Sequence, residues 1–207
     1  MLPTTASLVQ WVCARFALWV VLVLSLTVHE WAHAAEARRL GDRTAEAQGR
    51  LSLNPLDHLD PLGTVLLPFL GVPFGWARPV PIEPRQFAAP VTMRWGLLRA
   101  AAAGPLSNLA LAGLAGIGWT VSDSMAPGSG IAQLTALFVQ VNLGLAFFNL
   151  LPVPPLDGSR VVMGLLPEPW AGRYARVGAV GWVVTLGLIA WISLTFGARL
   201  LPGVAVP

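Results

Sequence analysis

Lysine is absent from this chain of 207 residues, cysteine and tyrosine each occur once, and charged side chains make up only 11% of it. The lone Cys13 excludes an internal disulfide, and a thiolate metal cage would have to be built from this one residue; a small apolar core position is the expected role. So little charge cannot clothe an ordinary soluble domain. The thirteen basic residues are all arginine, a bias for which the sequence supplies no mechanism, and the net charge is +3. Those arginines are scattered through loops rather than stacked on one helical face, so no nucleic-acid partner is expected.

What the chain does have is apolar length: 55% of its residues are hydrophobic and its mean hydropathy is +0.66. Runs long enough to span a bilayer occupy about residues 8–35, 95–121, 131–151 and 177–201, with a shorter one at about 62–74. These fill the sequence without an internal repeat or low-complexity linker, so residues 1–207 read as one domain of a multi-pass protein in contact with membrane lipid. The first run is not expected to be a removable signal: no positive charge precedes it among residues 1–7, and it exceeds an h-region in length.

That run ends in His29-Glu30-Trp31-Ala32-His33. Positions i and i+4 stack on one helical face, so the two imidazoles can meet on one cation while Glu30 handles a proton. A chance match of three fixed letters is the plain alternative. Ionisable groups at membrane depth cost roughly 2.5–3.5 kcal/mol each and generally face a cavity, partner or ion, which favours a metal site. Catalytic zinc usually takes three protein ligands, and the candidate for the third is Asp157, just beyond the run at 131–151 in Leu151-Pro152-Val153-Pro154-Pro155-Leu156-Asp157-Gly158. Its local sequence alone would suit a cap or turn.

Parity constrains how these ligands meet. If the short run at 62–74 crossed the bilayer, three crossings would separate His33 from Asp157 and strand them on opposite sides. Its 13 residues reach roughly 20 Å as helix, short of the roughly 30 Å hydrocarbon thickness, and Pro68, Gly71 and Pro73 interrupt it. It is therefore expected to dip in and return. Arginines at 38, 39, 43, 50, 78, 85, 94 and 99 then share one side with those at 160, 173 and 176, which predicts a cell membrane protein whose metal site opens to the cytoplasm. The alternation over 50–54 suggests a short strand, and 74–81 a second extended piece. His58, in a loop after Asn54-Pro55, is expected to serve a turn rather than the metal; Gly104-Pro105 suggests a helix kink, and Asn108 an interhelical hydrogen bond. Trp76, Trp95, Trp119 and Trp170 are expected as interface anchors, and Glu36 with Arg38 and Arg39 as a solvated helix end.

In order, the histidine–glutamate motif, Asn54-Pro55-Leu56-Asp57-His58, Gly75-Trp76-Ala77-Arg78-Pro79-Val80-Pro81, Ala103-Gly104-Pro105 with Asn108, and Leu156-Asp157-Gly158 make residues 29–160 resemble the site-2 protease family of intramembrane zinc metalloproteases. The resemblance implies one Zn2+ held by His29, His33 and Asp157, a catalytic Glu30, and an Asn108 contact to the substrate or oxyanion. It also implies that residues 46–54 and 74–81 form a small sheet receiving substrate as an added strand. The expected fold is thus all-α and polytopic, with about four full transmembrane helices, one re-entrant segment and a small membrane-associated β-sheet. The implied partner is a single-span transmembrane protein cut near its cytoplasmic boundary. Many members carry a helix before the motif helix and an appended regulatory domain, neither of which is expected in this sequence, so what gates substrate entry, and whether a separate regulatory or adaptor protein supplies selectivity, stays open at this point. A divalent-metal transporter also needs histidine and carboxylate at membrane depth, but its ligands would line a path rather than cluster. A catalytically silent homologue that only binds membrane proteins ranks lower, because every residue needed for turnover is present.

Overall fold

The computed structural model describes residues 5–69, 75–167 and 169–192. In chain order the helices are α1 (Thr5–Arg39), α2 (Thr44–Ala47), α3 (Leu67–Phe69), α4 (Met93–Met125), α5 (Gly130–Asn149), α6 (Asp157–Leu165), α7 (Trp170–Ala175) and α8 (Gly178–Ile192). Three of them, α1, α4 and α5, are long and apolar enough to cross a membrane. The fourth expected run, 177–201, is seen as the apolar helix α8, with residues 193–201 outside the described part.

No glycine or proline interrupts residues 8–40, so α1 propagates for 35 residues, about 52 Å at the usual rise. It stops at Gly41, whose φ of 108° suits glycine, with Asp42 N–H reaching back to the Ala37 carbonyl at 3.0 Å. Asp42 is buried beneath this end. Its two oxygens accept from Thr44 N and Glu83 N, tying the returning chain to the helix terminus.

Contacts fix the helix directions. The pairs Ser25–Asn108, His29–Asn108 and His33–Ala100 set α1 antiparallel to α4, and Ser122–Thr135 with Asn108–Asn142 sets α4 antiparallel to α5. It follows that α1 and α5 run parallel, and the chain leaving α5 arrives at the His33 end of α1. Residues 40–92 begin and end at that same end, where Arg99 of α4 bonds Glu36 at 2.7 Å. Glu36 is therefore a helix-to-helix anchor, not the solvated end expected. Between those points the chain climbs along α1: the Trp19 indole donates to the Thr64 carbonyl at 2.9 Å, and the Thr64 hydroxyl donates to the Trp76 carbonyl. Residues 70–74, which hold Gly71 and Pro73 of the expected dip, lie outside the described part.

The small sheet is not formed: no strand occurs among the described residues. Residues 44–47 are helical. The main-chain groups of 78–80 are taken individually, with Arg78 N–H bonding the His58 carbonyl, the Arg78 and Pro79 carbonyls accepting from Arg50, and Val80 N–H bonding Glu30. Pro79 and Pro81 have no N–H to offer a ladder. Among the described residues the expected strand-addition edge is not seen, for the same reason.

The interior is polar where soluble proteins are apolar. Ser25, His29, Glu30, His33, Asn108, Asn142 and Asp157 are buried, while Leu114, Ile117, Phe147 and Val183 are largely exposed, the distribution a hydrocarbon solvent favours. Cys13 is also exposed, contrary to its expected core position.

Candidate metal centre

Two turns of α1 set His29 and His33 on the face turned toward α4 and α6. The His33 Nδ1–H has one available acceptor, the Ala100 carbonyl at 2.7 Å, which leaves the Nε2 lone pair pointing away. The His29 tautomer is fixed by a longer chain. The Asn142 amide donates to the Phe138 carbonyl and the Ser25 hydroxyl, so its oxygen receives the Asn108 amide at 2.8 Å. The Asn108 oxygen thereby faces the His29 Nδ1–H at 2.6 Å, and His29 Nε2 too is left with a bare lone pair.

Both lone pairs converge with a carboxylate. His29 Nε2 and His33 Nε2 are 3.0 Å apart, and each is 3.2 Å from Asp157 Oδ2. Three ligands of a tetrahedral ion bound at about 2.0–2.1 Å would be separated by about 3.3 Å, so the donor triangle has the right size, charge and lone-pair direction for zinc. Among the described residues this is the group of histidine and acidic side chains able to hold a metal ion, and all three members are buried. His58, by contrast, gives its Nε2 to the Ser52 carbonyl and takes no part.

Asp157 opens α6, which packs on α4; Arg94 Nε of α4 donates to the Gly164 carbonyl of α6. The preceding loop is held by its carbonyls: Tyr174 Oη donates to Pro152 O and Thr185 Oγ1 to Pro154 O. Prolines there leave few N–H groups to satisfy. Asp157 Oδ1 faces outward, 3.8 Å from Arg160 Nη1.

A cavity of about 460 Å³ opens onto the triangle, walled by Leu26, Trp76, Leu145, Trp182 and Leu186, with Glu30 and Arg160 at its polar end. Trp76 thus faces the site instead of serving only as an interface anchor. Glu30 Oε2 accepts from Val80 N–H at 2.9 Å. Burial and then the Arg78 charge lower the pKa of the nearby Arg50, while attraction to Glu30 and Asp57 opposes the shift.

Asn108 does not face this cavity. It has no exposed surface, and its polar atoms bond His29, Asn142 and Ser25. Two residues of the site escaped sequence reading, and a third was read for a different role. Asn142 and Ser25 carried a usable signal, being polar side chains within spanning runs. Gly104 is expected only as part of a helix kink with Pro105, yet a Cβ there would lie 2.7 Å from His29 Cε1 and nearer still to His33 Nε2.

Residues 114–194 match the family described as "Peptidase family M50". Over 175 residues the chain is 41% identical to "Putative zinc metalloprotease YwhC" of Bacillus subtilis (strain 168), covering 82% of this chain and 78% of that protein. It is 36% identical over 144 residues to "Putative zinc metalloprotease Rip2" of Mycolicibacterium smegmatis (strain ATCC 700084 / mc(2)155), 66% of this chain and 52% of that protein. No solved structure matches significantly. With the donor triangle, the adjacent glutamate and this identity over most of its length, the chain belongs to peptidase family M50, the site-2 zinc metalloproteases.

Proposed function

We propose that residues 1–207 form one intramembrane protease domain in which His29, His33 and Asp157 hold one zinc ion and Glu30 is the general base, acting on single-span membrane proteins at the cytoplasmic end of their transmembrane segments. The observation that carries this is the convergence of two imidazole lone pairs and a carboxylate, all within 3.2 Å of one another, in a cavity shared with Glu30. Zinc bound there would acidify water and polarise the scissile carbonyl.

Glu30 takes the proton from the attacking water and delivers it to the leaving amine. Arg160, the guanidinium lining the same cavity, offers donors toward the charge that develops on the carbonyl oxygen. The apolar walls suit a substrate segment that has left its helix, with its side chains against Leu26, Leu145 and Leu186. Asn108 acts as a positioning residue, holding His29 in the ligating tautomer. Asn108→Ala should weaken zinc affinity about 10–100-fold, as loss of such outer partners typically does, measured by competition with a chromogenic chelator.

For topology, α1, α4, α5 and a fourth span beginning in α8 cross the bilayer, and residues 61–69 belong to a dip that returns. The arginine-bearing ends at Arg38, Arg39, Arg94, Arg99 and Arg160 then lie in the cytoplasm. Reconstitution with a transmembrane peptide tests the whole reading. Cleavage should cease on chelation and return with zinc, and a protein that transports zinc but leaves every peptide intact would overturn it.

A further inference from the structure

Arg50 is a buried cation that the metal site does not use. It is 8% exposed, and its Nη2 donates to two main-chain carbonyls, Arg78 O at 2.6 Å and Pro79 O at 3.4 Å. Its Nε is buried without a partner among the described residues. Taking a guanidinium out of water for carbonyls alone is costly, and the position of those carbonyls supplies the reason.

Pro79 O and Val80 N–H belong to one peptide plane, and that bond is trans, so the two groups point in opposite directions. One edge of the plane meets Arg50, and the other meets Glu30 Oε2, 2.9 Å from Val80 N. The second is the hydrogen bond that Glu30 makes among the described residues. Cation, peptide dipole and carboxylate thus follow one another, each polarising the next, and the charges of Arg50 and Glu30 attract. Proline at 79 and 81 stiffens this strap, because each fixes its own φ and holds the residue before it, Arg78 or Val80, in extended backbone. The strap is fastened upstream as well: Arg78 N–H donates to the His58 carbonyl at 2.9 Å, and the Thr64 hydroxyl to the Trp76 carbonyl at 2.8 Å. A displacement of the carbonyls at 78 and 79 is therefore passed on to the Val80 N–H.

Building on the protease reading, we propose that Arg50 is a positioning residue for the general base: by holding the Arg78 and Pro79 carbonyls it keeps Val80 N–H on Glu30 Oε2 and leaves Oε1 for the attacking water. Arg50 touches neither metal nor substrate in this arrangement. Its effect on the reaction runs through Glu30 alone.

The test uses full-length, zinc-loaded protein reconstituted with a transmembrane peptide. Arg50→Gln should lower kcat by as much as about 10²-fold, the usual result of misplacing a reacting group by about 1 Å, with KM and zinc content unchanged. Made in the Glu30→Gln background, the same substitution should leave the residual rate where it was, because no base remains to be positioned. Equal fold losses in the two backgrounds, or a loss of zinc, would make Arg50 a packing residue and overturn the proposal. Hydrogen exchange gives a readout independent of turnover. Pro79 and Pro81 carry no N–H, so Val80 is the one exchanging amide between residues 78 and 82, and Arg50→Gln should speed its exchange while leaving that of α4 unchanged. Undiminished protection of Val80 also overturns the proposal. Should Arg50→Gln fail to fold, Arg50→Lys, which keeps the charge without the planar fork, is read by the same measurements, with a smaller loss of kcat expected. If the wild type cleaves no peptide, the protease reading fails, and exchange at Val80 still decides whether Arg50 holds the strap against Glu30.

Discussion

Glu30→Gln is expected to keep its zinc and its fold while losing about 10²- to 10⁴-fold in kcat, the usual contribution of a positioned acid–base group. The substitution is conservative where it matters for structure. Glu30 Oε2 accepts from Val80 N–H at 2.9 Å, and a glutamine oxygen can accept that bond. Glu30 is also not one of the three groups whose donor atoms converge, so metal content should match the wild type. What glutamine cannot do is take a proton from water and return it to the amine. Zinc analysis beside cleavage of a reconstituted transmembrane peptide separates the two effects. Undiminished cleavage would remove Glu30 from the role of base, and loss of zinc would make it part of the metal site instead.

The features legible in the sequence are those set by spacing and by the need to bring charge together at membrane depth. His29 and His33 are one helical turn apart, so a shared face follows from geometry alone. Asp157 is legible as the missing third ligand just past the run at 131–151, and the structure brings it to the His33 end of α1 because α5 runs parallel to α1. What escaped was decided by which way a side chain turned. The alternation at 50–54 has the period of a strand, but Arg50 reaches across to the Arg78 carbonyl and His58 to Ser52, so side chains satisfy the backbone that a ladder would have paired. Asn108 was recognisable as important, yet whether it faced substrate or the back of an imidazole depended on its partner Asn142, 34 residues away.

Gly104 shows how an apparently minor residue can control the site, and Gly104→Leu is expected to abolish zinc binding, with Gly104→Ala weakening it severely. The sequence reading of Gly104-Pro105 was a kink. In the structure the glycine lies against both imidazoles: an added Cβ would overlap His33 Nε2 and stand 2.7 Å from His29 Cε1, the first of which is itself a donor atom of the triangle. Neither ring can yield easily, because His33 is tied to the Ala100 carbonyl and His29 to Asn108, and close-packed neighbours do not absorb an added carbon without displacement. A shift of either ring of about 1 Å would break a bond whose length is confined to about 2.0–2.1 Å. The remainder of α4 should hold, since alanine and leucine both favour helix over glycine, so helicity by circular dichroism should persist while zinc content falls. Gly113, next to no other group within 4 Å, supplies the control: Gly113→Ala in the same helix should leave zinc content unchanged. Retention of zinc by Gly104→Leu would mean that the imidazoles do not ligate from the positions seen here.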